Sequence, residues 1–206
     1  MTTPNGVPAM LPRSGEMVVF DLEWTAWEGS HSRNWSGPGE YREVIQIGAV
    51  QLDAANFNLL AVYDRLVLPI RNPVLSDYIM KLTGLTNEQM QIEGVSLKVA
   101  LVEFAAFAWD RPLWCNGGDA AVLRDNCILQ TIPCPIATEN IGNLRPLFVQ
   151  AIGLPSSQLV SCELPELLGI GPAVNRHTGA GDAIAIARAL AALRKKGTLK
   201  KMEKGS

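Results

Sequence analysis

The chain has 206 residues, the length of one domain or of two small ones. Hydrophobic residues make up 48% and charged residues 18%, enough apolar material for a sizeable core, and 18 glycines with 13 prolines are too few for a low-complexity or collagen-like chain. Eighteen basic against 20 acidic residues leave a net charge of −2, which excludes a coat of positive charge for nucleic acid but not a local site where bound cations supply the field.

No apolar run reaches the roughly 20 residues that span a bilayer. The opening MTTPNGVPAMLPRSGEM lacks the basic start and apolar stretch of a secretory signal. The four cysteines (Cys115, Cys127, Cys134, Cys162) form no C-x-x-C pair, and there are only two histidines, so a structural zinc site is not indicated. The expectation is a cytoplasmic protein with reduced thiols and no membrane contact.

In chain order, residues 1–15 read as a loose lead-in, 16–196 as one domain, and 197–206 as a basic tail. EMVVFDLEW is a short buried strand, with Val18, Val19 and Phe20 running straight into acidic residues. The polar stretch from Thr25 to Arg42, with three glycines and a proline, is a surface loop. EVIQIGAVQLD and LLAVYDRLVLP are two further strands, the second ended by Pro69. Together they point to an antiparallel meander.

Helices follow. SDYIMKLTGLT has a cap at Ser76 and a stop at Gly84. In SLKVALVEFAAFAWD, Leu97, Leu101, Phe104 and Ala108 form one helical stripe. PLWCNG is a short strand, DAAVLRDNCIL a helix, and NLRPLFVQAIG a helix with Leu144, Leu147, Phe148 and Ala151 on one face. The last helix, DAIAIARALAALRKK, is expected to open at Asp182. The order β-β-β-α-β-α-α describes a mixed sheet flanked by helices, an α/β domain.

Asp21-Leu22-Glu23 ends the first strand, and period-2 geometry puts both carboxylates on one face. Paired carboxylates repel unless a hard cation such as Mg²⁺ sits between them. The D-x-E pattern alone is weak, with about 0.5 chance occurrences expected in a chain of this composition. His177 lies five residues before Asp182, a spacing expected by chance about 0.08 times. Between these motifs, PLWCNGGDAAVL brings Asp119 to the end of the fourth strand. Asp125, deeper in the following helix, reads as solvent-facing.

Together these segments resemble the DEDDh 3′→5′ exonucleases. FDLEWT is similar to that family's first motif, NGGDAAVL to its second and HTGAGDAIAIARAL to its third, with EVIQIGAVQLD and KLTGLTNEQM as lesser matches. The resemblance runs from about Val18 to Leu193. It implies a ribonuclease H-like, five-stranded mixed sheet, with three antiparallel strands and then parallel ones. It also implies two Mg²⁺ or Mn²⁺ ions, the first held by Asp21, Glu23 and Asp182, the second by Asp21 and Asp119. His177 would be the general base, on a loop made flexible by Gly179 and Gly181. The substrate would be nucleic acid with a free 3′ end, single strands favoured over duplexes and RNA slightly over DNA, and the product a nucleoside 5′-monophosphate.

Trp24, Trp27 and Trp35 flank the first motif, where terminal bases stack on such rings at roughly 1–3 kcal/mol each. Thr25 matches the family's threonine near the 3′-terminal sugar. His31 is expected to be a bystander, and the basic tail a solvated helix end. The competing expectations are a non-catalytic nucleic-acid-binding module and a metal-dependent phosphatase of small phosphate esters. Oligomeric state is not readable from these features.

Overall fold

The computed structural model describes residues 11–199; the lead-in before Leu11 and the lysines from Lys200 onward lie outside the described residues. Strands β1 (Glu16–Trp24), β2 (Val44–Asp53) and β3 (Leu59–Leu66) form the expected meander. β1 and β2 pair antiparallel, with Asp21 opposite Gly48 and Glu23 opposite Gln46. β4 (Leu113–Cys115) and β5 (Gly142–Asn143) then add parallel to β1 and to β4, giving the order β3-β2-β1-β4-β5. β1 is thus central, and it is buried from Met17 to Glu23.

A central strand with both faces covered sorts its side chains by parity. Val18, Phe20 and Leu22 enter a core with helices α3 (Leu97–Ala108) and α4 (Asp119–Leu129). Met17 and Val19 enter a second core with the C-terminal helix. Phe20 meets Phe104 at 5.3 Å between ring centroids, and the helical stripe expected in α3 is buried throughout. Burying one such side chain contributes about 1.5–3 kcal/mol. Asp21 and Glu23 continue the odd-numbered series and therefore point at the C-terminal helix rather than at α3.

The helix expected at SDYIMKLTGLT is α1 (Asp77–Thr83). Ser76 Oγ accepts from the Ile79 amide, and Gly84 closes the helix at φ 76°. The structure adds α2 (Asn87–Glu93), capped by Thr86, a helix beyond those expected. Its seven residues bury only Met90, too little for an apolar stripe to announce it. α5 (Arg145–Ile152) and the one-turn α6 (Leu164–Leu167) complete the approach to the last helix.

That helix, α7, runs Gly179–Lys195, three residues longer at its start than expected. Its cap is Thr178, whose hydroxyl accepts from the Gly181 amide, and Asp182 lies within the first turn. The two glycines serve close packing, not loop flexibility. A Cβ on Gly48 would fall inside the backbone of Gly179 and Ala180, so only this glycine pair lets α7 touch β2. The Gly179 amide donates to Gln46 Oε1 at 3.0 Å across the same contact.

Candidate active site

Four carboxylates from three elements meet at the C-terminal end of β1. Asp21 and Glu23 come from the strand itself. Asp119 opens α4, where its Oδ1 accepts the Leu22 amide of β1 at 3.2 Å. Asp182, from the first turn of α7, accepts the His177 amide at 3.1 Å. Asp21, Glu23 and Asp182 each offer a carboxylate oxygen within 4.8 Å of the others. All four acids are buried, none more than 9% exposed.

Burial and mutual repulsion set their titration. Burial is the largest cause for each, and it favours the protonated form. Glu23 is pushed up to about 8, with Asp182 and Asp119 adding to the burial. Asp182 is pushed to about 7 and Asp119 to about 6, the latter moderated by the Leu22 amide, Arg145 and Arg42. Asp21 is raised well above the usual range by burial and by all three neighbours, and only the Ser161 hydroxyl pulls it down. Ser161 Oγ donates to Asp21 Oδ1 at 2.9 Å.

Glu43 is an instructive contrast. It is buried as well, but its two oxygens accept from the backbone amides of Ile70, Arg71 and Asn72, so it is satisfied as a structural clamp. The four acids at the end of β1 have no such set of donors, and among the described residues none is in an ion pair. A cluster of this composition fits a hard divalent cation, which takes oxygen ligands and neutralises their repulsion.

His177 stands at the mouth of the cluster, half-buried, with φ 58°. Burial and the neighbouring Arg176 charge lower its pKa, opposed by Glu163, so the ring is held toward the neutral form. The ring and the four acids line one cleft of about 700 Å³. Trp24, Trp27 and Trp35 line its other wall. Trp24 and Trp35 meet edge to face at 6.2 Å, with the Arg42 guanidinium 5.9 Å and 5.4 Å from the two rings. Trp24 also packs against the α3/α4 core, so it is part support and part wall.

Thr25 takes a different place. It is buried, its hydroxyl donates to Tyr41 O and accepts from the Glu43 amide, and it does not line the cleft. Its side chain closes the base of the loop that carries the tryptophans. His31, expected to be a bystander, lines the cleft and sits 6.1 Å from the Trp35 ring. Asp125 is exposed and engages Arg124 and Arg42, as read.

Three further residues complete the site without a sequence signal. Ser161 arrives from the irregular segment before α6. Arg145 donates through Nε to Asn116 Oδ1 at 2.9 Å and through Nη1 to Ser156 O, which ties the cleft floor together. Asn116 in turn donates to Ser161 Oγ at 3.2 Å, so the hydroxyl on Asp21 is itself held in place.

A mixed sheet of this order, with acids converging from β1, α4 and α7, defines a ribonuclease H-like nuclease domain. The RNase T exonuclease family model matches residues 18–190, and the chain belongs to this exonuclease family. ERI1 exoribonuclease 2 of Xenopus laevis is 33% identical over 107 residues, covering 52% of this chain and 14% of that protein. The 3′-5′ exonuclease Snipper of Drosophila melanogaster is 27% identical over 115 residues, covering 50% of this chain and 39% of the relative. The chain therefore spans well under half the length of these relatives.

Among solved structures, the nuclease domain of 3′hExo, a DEDDh family member bound to rAMP, superposes with a TM-score of 0.74 at 22% identity, over 89% of this chain and 94% of that one. Cell-death related nuclease 4 (CRN-4) gives 0.72 at 17% identity, over 90% and 65%. At these identities the likeness is one of fold. Among the described residues, no helix is long and apolar enough to cross a membrane.

Proposed function

We propose that residues 16–196 form a divalent-metal-dependent 3′→5′ exonuclease that removes nucleoside 5′-monophosphates from nucleic acid, with RNA preferred to DNA and single strands to duplexes. The observation that carries this reading is the convergence of Asp21, Glu23, Asp119, Asp182 and His177 in one cleft. The preference for RNA is supported by the name of the ERI1 exoribonuclease relatives. The four free cysteines suit a reducing compartment, and we place the enzyme in the cytoplasm.

Asp21, Glu23 and Asp182 would hold one Mg²⁺ or Mn²⁺, and Asp21 with Asp119 a second. When bound, such a pair stabilises the attacking and leaving oxygens of an in-line displacement at phosphorus. The protein's own residues do the rest. His177, held neutral by burial and Arg176, accepts the proton of the attacking water at its free ring nitrogen. Trp24 and Trp27 stack the terminal base and fix the scissile phosphate over the acids. Ser161 and the Leu22 amide keep Asp21 and Asp119 oriented.

The test is a strand labelled at its 5′ end, as RNA or DNA, single or paired, incubated with Mg²⁺ or Mn²⁺. A ladder shortening from the 3′ end on single-stranded RNA first is the expected result. Internal cuts, release from the 5′ end, or cleavage only of small phosphate esters would refute the reading.

A further inference from the structure

Behind the acidic cluster lies a second donor set of different composition. Cys162 Sγ, a ring nitrogen of His177 and a carboxylate oxygen of Asp182 all lie within 4.8 Å of one another. The sulfur is 4.0 Å from His177 Nε2. Ligand atoms around a tetrahedral zinc, at bond lengths of about 2.0–2.3 Å, stand about 3.3–3.7 Å apart. The sulfur–nitrogen separation is close to that range, and small side-chain rotations of the three donors would complete the approach. The sequence shows no C-x-x-C pair, and the fold assembles this set from residues on either side of α6 instead.

The chemistry of the three donors is selective. Thiolate and imidazole suit zinc, whereas Mg²⁺ takes oxygen. Cys162 is 1% exposed and does not line the substrate cleft, so nothing in the proposed hydrolysis uses it. Arg176 pairs with Glu163 at 3.4 Å and Glu166 at 4.0 Å, and it also faces the Cys162 sulfur, where its charge favours the thiolate that zinc requires. His177 holds a left-handed backbone conformation that a non-glycine residue adopts at a cost, fixed by its amide bond to Asp182 Oδ1. A ring nitrogen lies 4.0 Å from the sulfur and a ring nitrogen lies within 4.8 Å of an Asp182 carboxylate oxygen.

We propose that Cys162, His177 and Asp182 form an inhibitory zinc site with a fourth position open to water. As the Zn–S bond forms, the Cys162 thiol proton leaves to solvent. Neutral His177 binds through Nε2 and keeps its hydrogen on Nδ1, and no electron is transferred. Zinc then occupies the lone pair a general base requires and diverts the Asp182 carboxylate. Inhibition rests on His177 serving as the base of the proposed exonuclease; occupancy of the site does not.

Co²⁺ added to the full chain reads the site directly, through the near-ultraviolet thiolate-to-cobalt charge-transfer band. The band should saturate at one cation per chain, persist in the Cys127→Ser/Cys134→Ser double variant and vanish in Cys162→Ala. His177→Ala, at a half-exposed position that does not threaten folding, should weaken Co²⁺ binding at least about tenfold. With Mg²⁺ in excess, a Zn²⁺ concentration that silences the wild type should leave Cys162→Ala cleaving labelled RNA. A wild type without the band, or a band that survives Cys162→Ala, overturns the site. Equal zinc sensitivity of wild type and Cys162→Ala overturns the inhibition. A wild type that shows the band but cleaves no strand in Mg²⁺ overturns the exonuclease reading, and the inhibitory role with it.

Discussion

Ser161 Oγ donates to Asp21 Oδ1 at 2.9 Å, across 140 residues of chain. It is the single hydrogen bond that opposes the upward shift of the Asp21 carboxyl. Removing it leaves the most crowded acid of the cluster harder to ionise. Ser161→Ala should therefore raise the Mg²⁺ concentration needed for half-maximal turnover by about 10–100-fold, the usual effect of a lost outer-shell partner. Much of the rate should return at saturating Mg²⁺. A Mg²⁺ titration of RNA cleavage checks this, and a loss that no Mg²⁺ concentration repairs would contradict it.

The metal-free protein should lose stability as pH rises. Glu23, Asp182 and Asp119 have folded pKa values of about 8, 7 and 6 against ordinary values of 4.5, 3.8 and 3.8. The folded state thus holds more protons than the unfolded one between about pH 4 and pH 8. The stabilisation is complete below the unfolded values and disappears as pH rises through the folded ones. Melting temperature in chelator should fall across that window, and Mg²⁺ should restore it most at the alkaline end. Glu23→Gln should flatten part of the dependence.

Chelation should abolish hydrolysis, and Asp21→Asn should abolish it with the fold intact. The substitution keeps the shape and removes a buried charge, so the metal-free variant should melt no lower than the wild type at pH 8. Circular dichroism melts alongside a cleavage assay decide it. Ca²⁺ should bind without supporting turnover well, because its coordination is looser.

His177→Ala should reduce turnover about 10²–10⁴-fold while Mg²⁺ binding at the four carboxylates persists. The wild-type rate, measured in excess Mg²⁺, should fall on the acid side with a midpoint below the ordinary histidine value of about 6.5, since burial and Arg176 lower it. That acid limb should be missing from the residual activity of His177→Ala.

The two tryptophans proposed to stack the terminal base should separate cleanly. Trp27→Ala should weaken binding of a single strand, measured by anisotropy in Ca²⁺, by about 1–3 kcal/mol with an unchanged melting temperature. Trp24→Ala should lower both, because that ring also packs on the α3/α4 core.

Much of this site is legible in the chain because strand parity is a local rule. Once EMVVFDLEW reads as a strand, Asp21 and Glu23 must share a face, and the structure gives them that face. The two glycines of HTGAGD misled for a physical reason. Glycine marks both loops and close backbone contacts, and nothing within one segment tells which, so the start of α7 was placed three residues late. Ser161 and Cys162 were invisible because the stretch between α5 and α7 carries no long periodic run. β5 is two residues long and is defined by its pairing with β4, a relation across the fold that no window of sequence contains.

The contact of Gly48 with Gly179 acts as a ruler. It sets the spacing between the strand acids and Asp182 by backbone against backbone, where there is no rotamer to change and no side chain to shrink or grow. Substitutions elsewhere in the two cores can repack without altering that spacing, so the α7 side of the site is insulated from drift in the interior. Asp119 has no equivalent gauge. Its position depends on side-chain bonds from the Leu22 amide and its own amide, and on the docking of α4. If the two proposed cation positions differ in affinity or in tolerance of ion size, the adjustable one is on the α4 side.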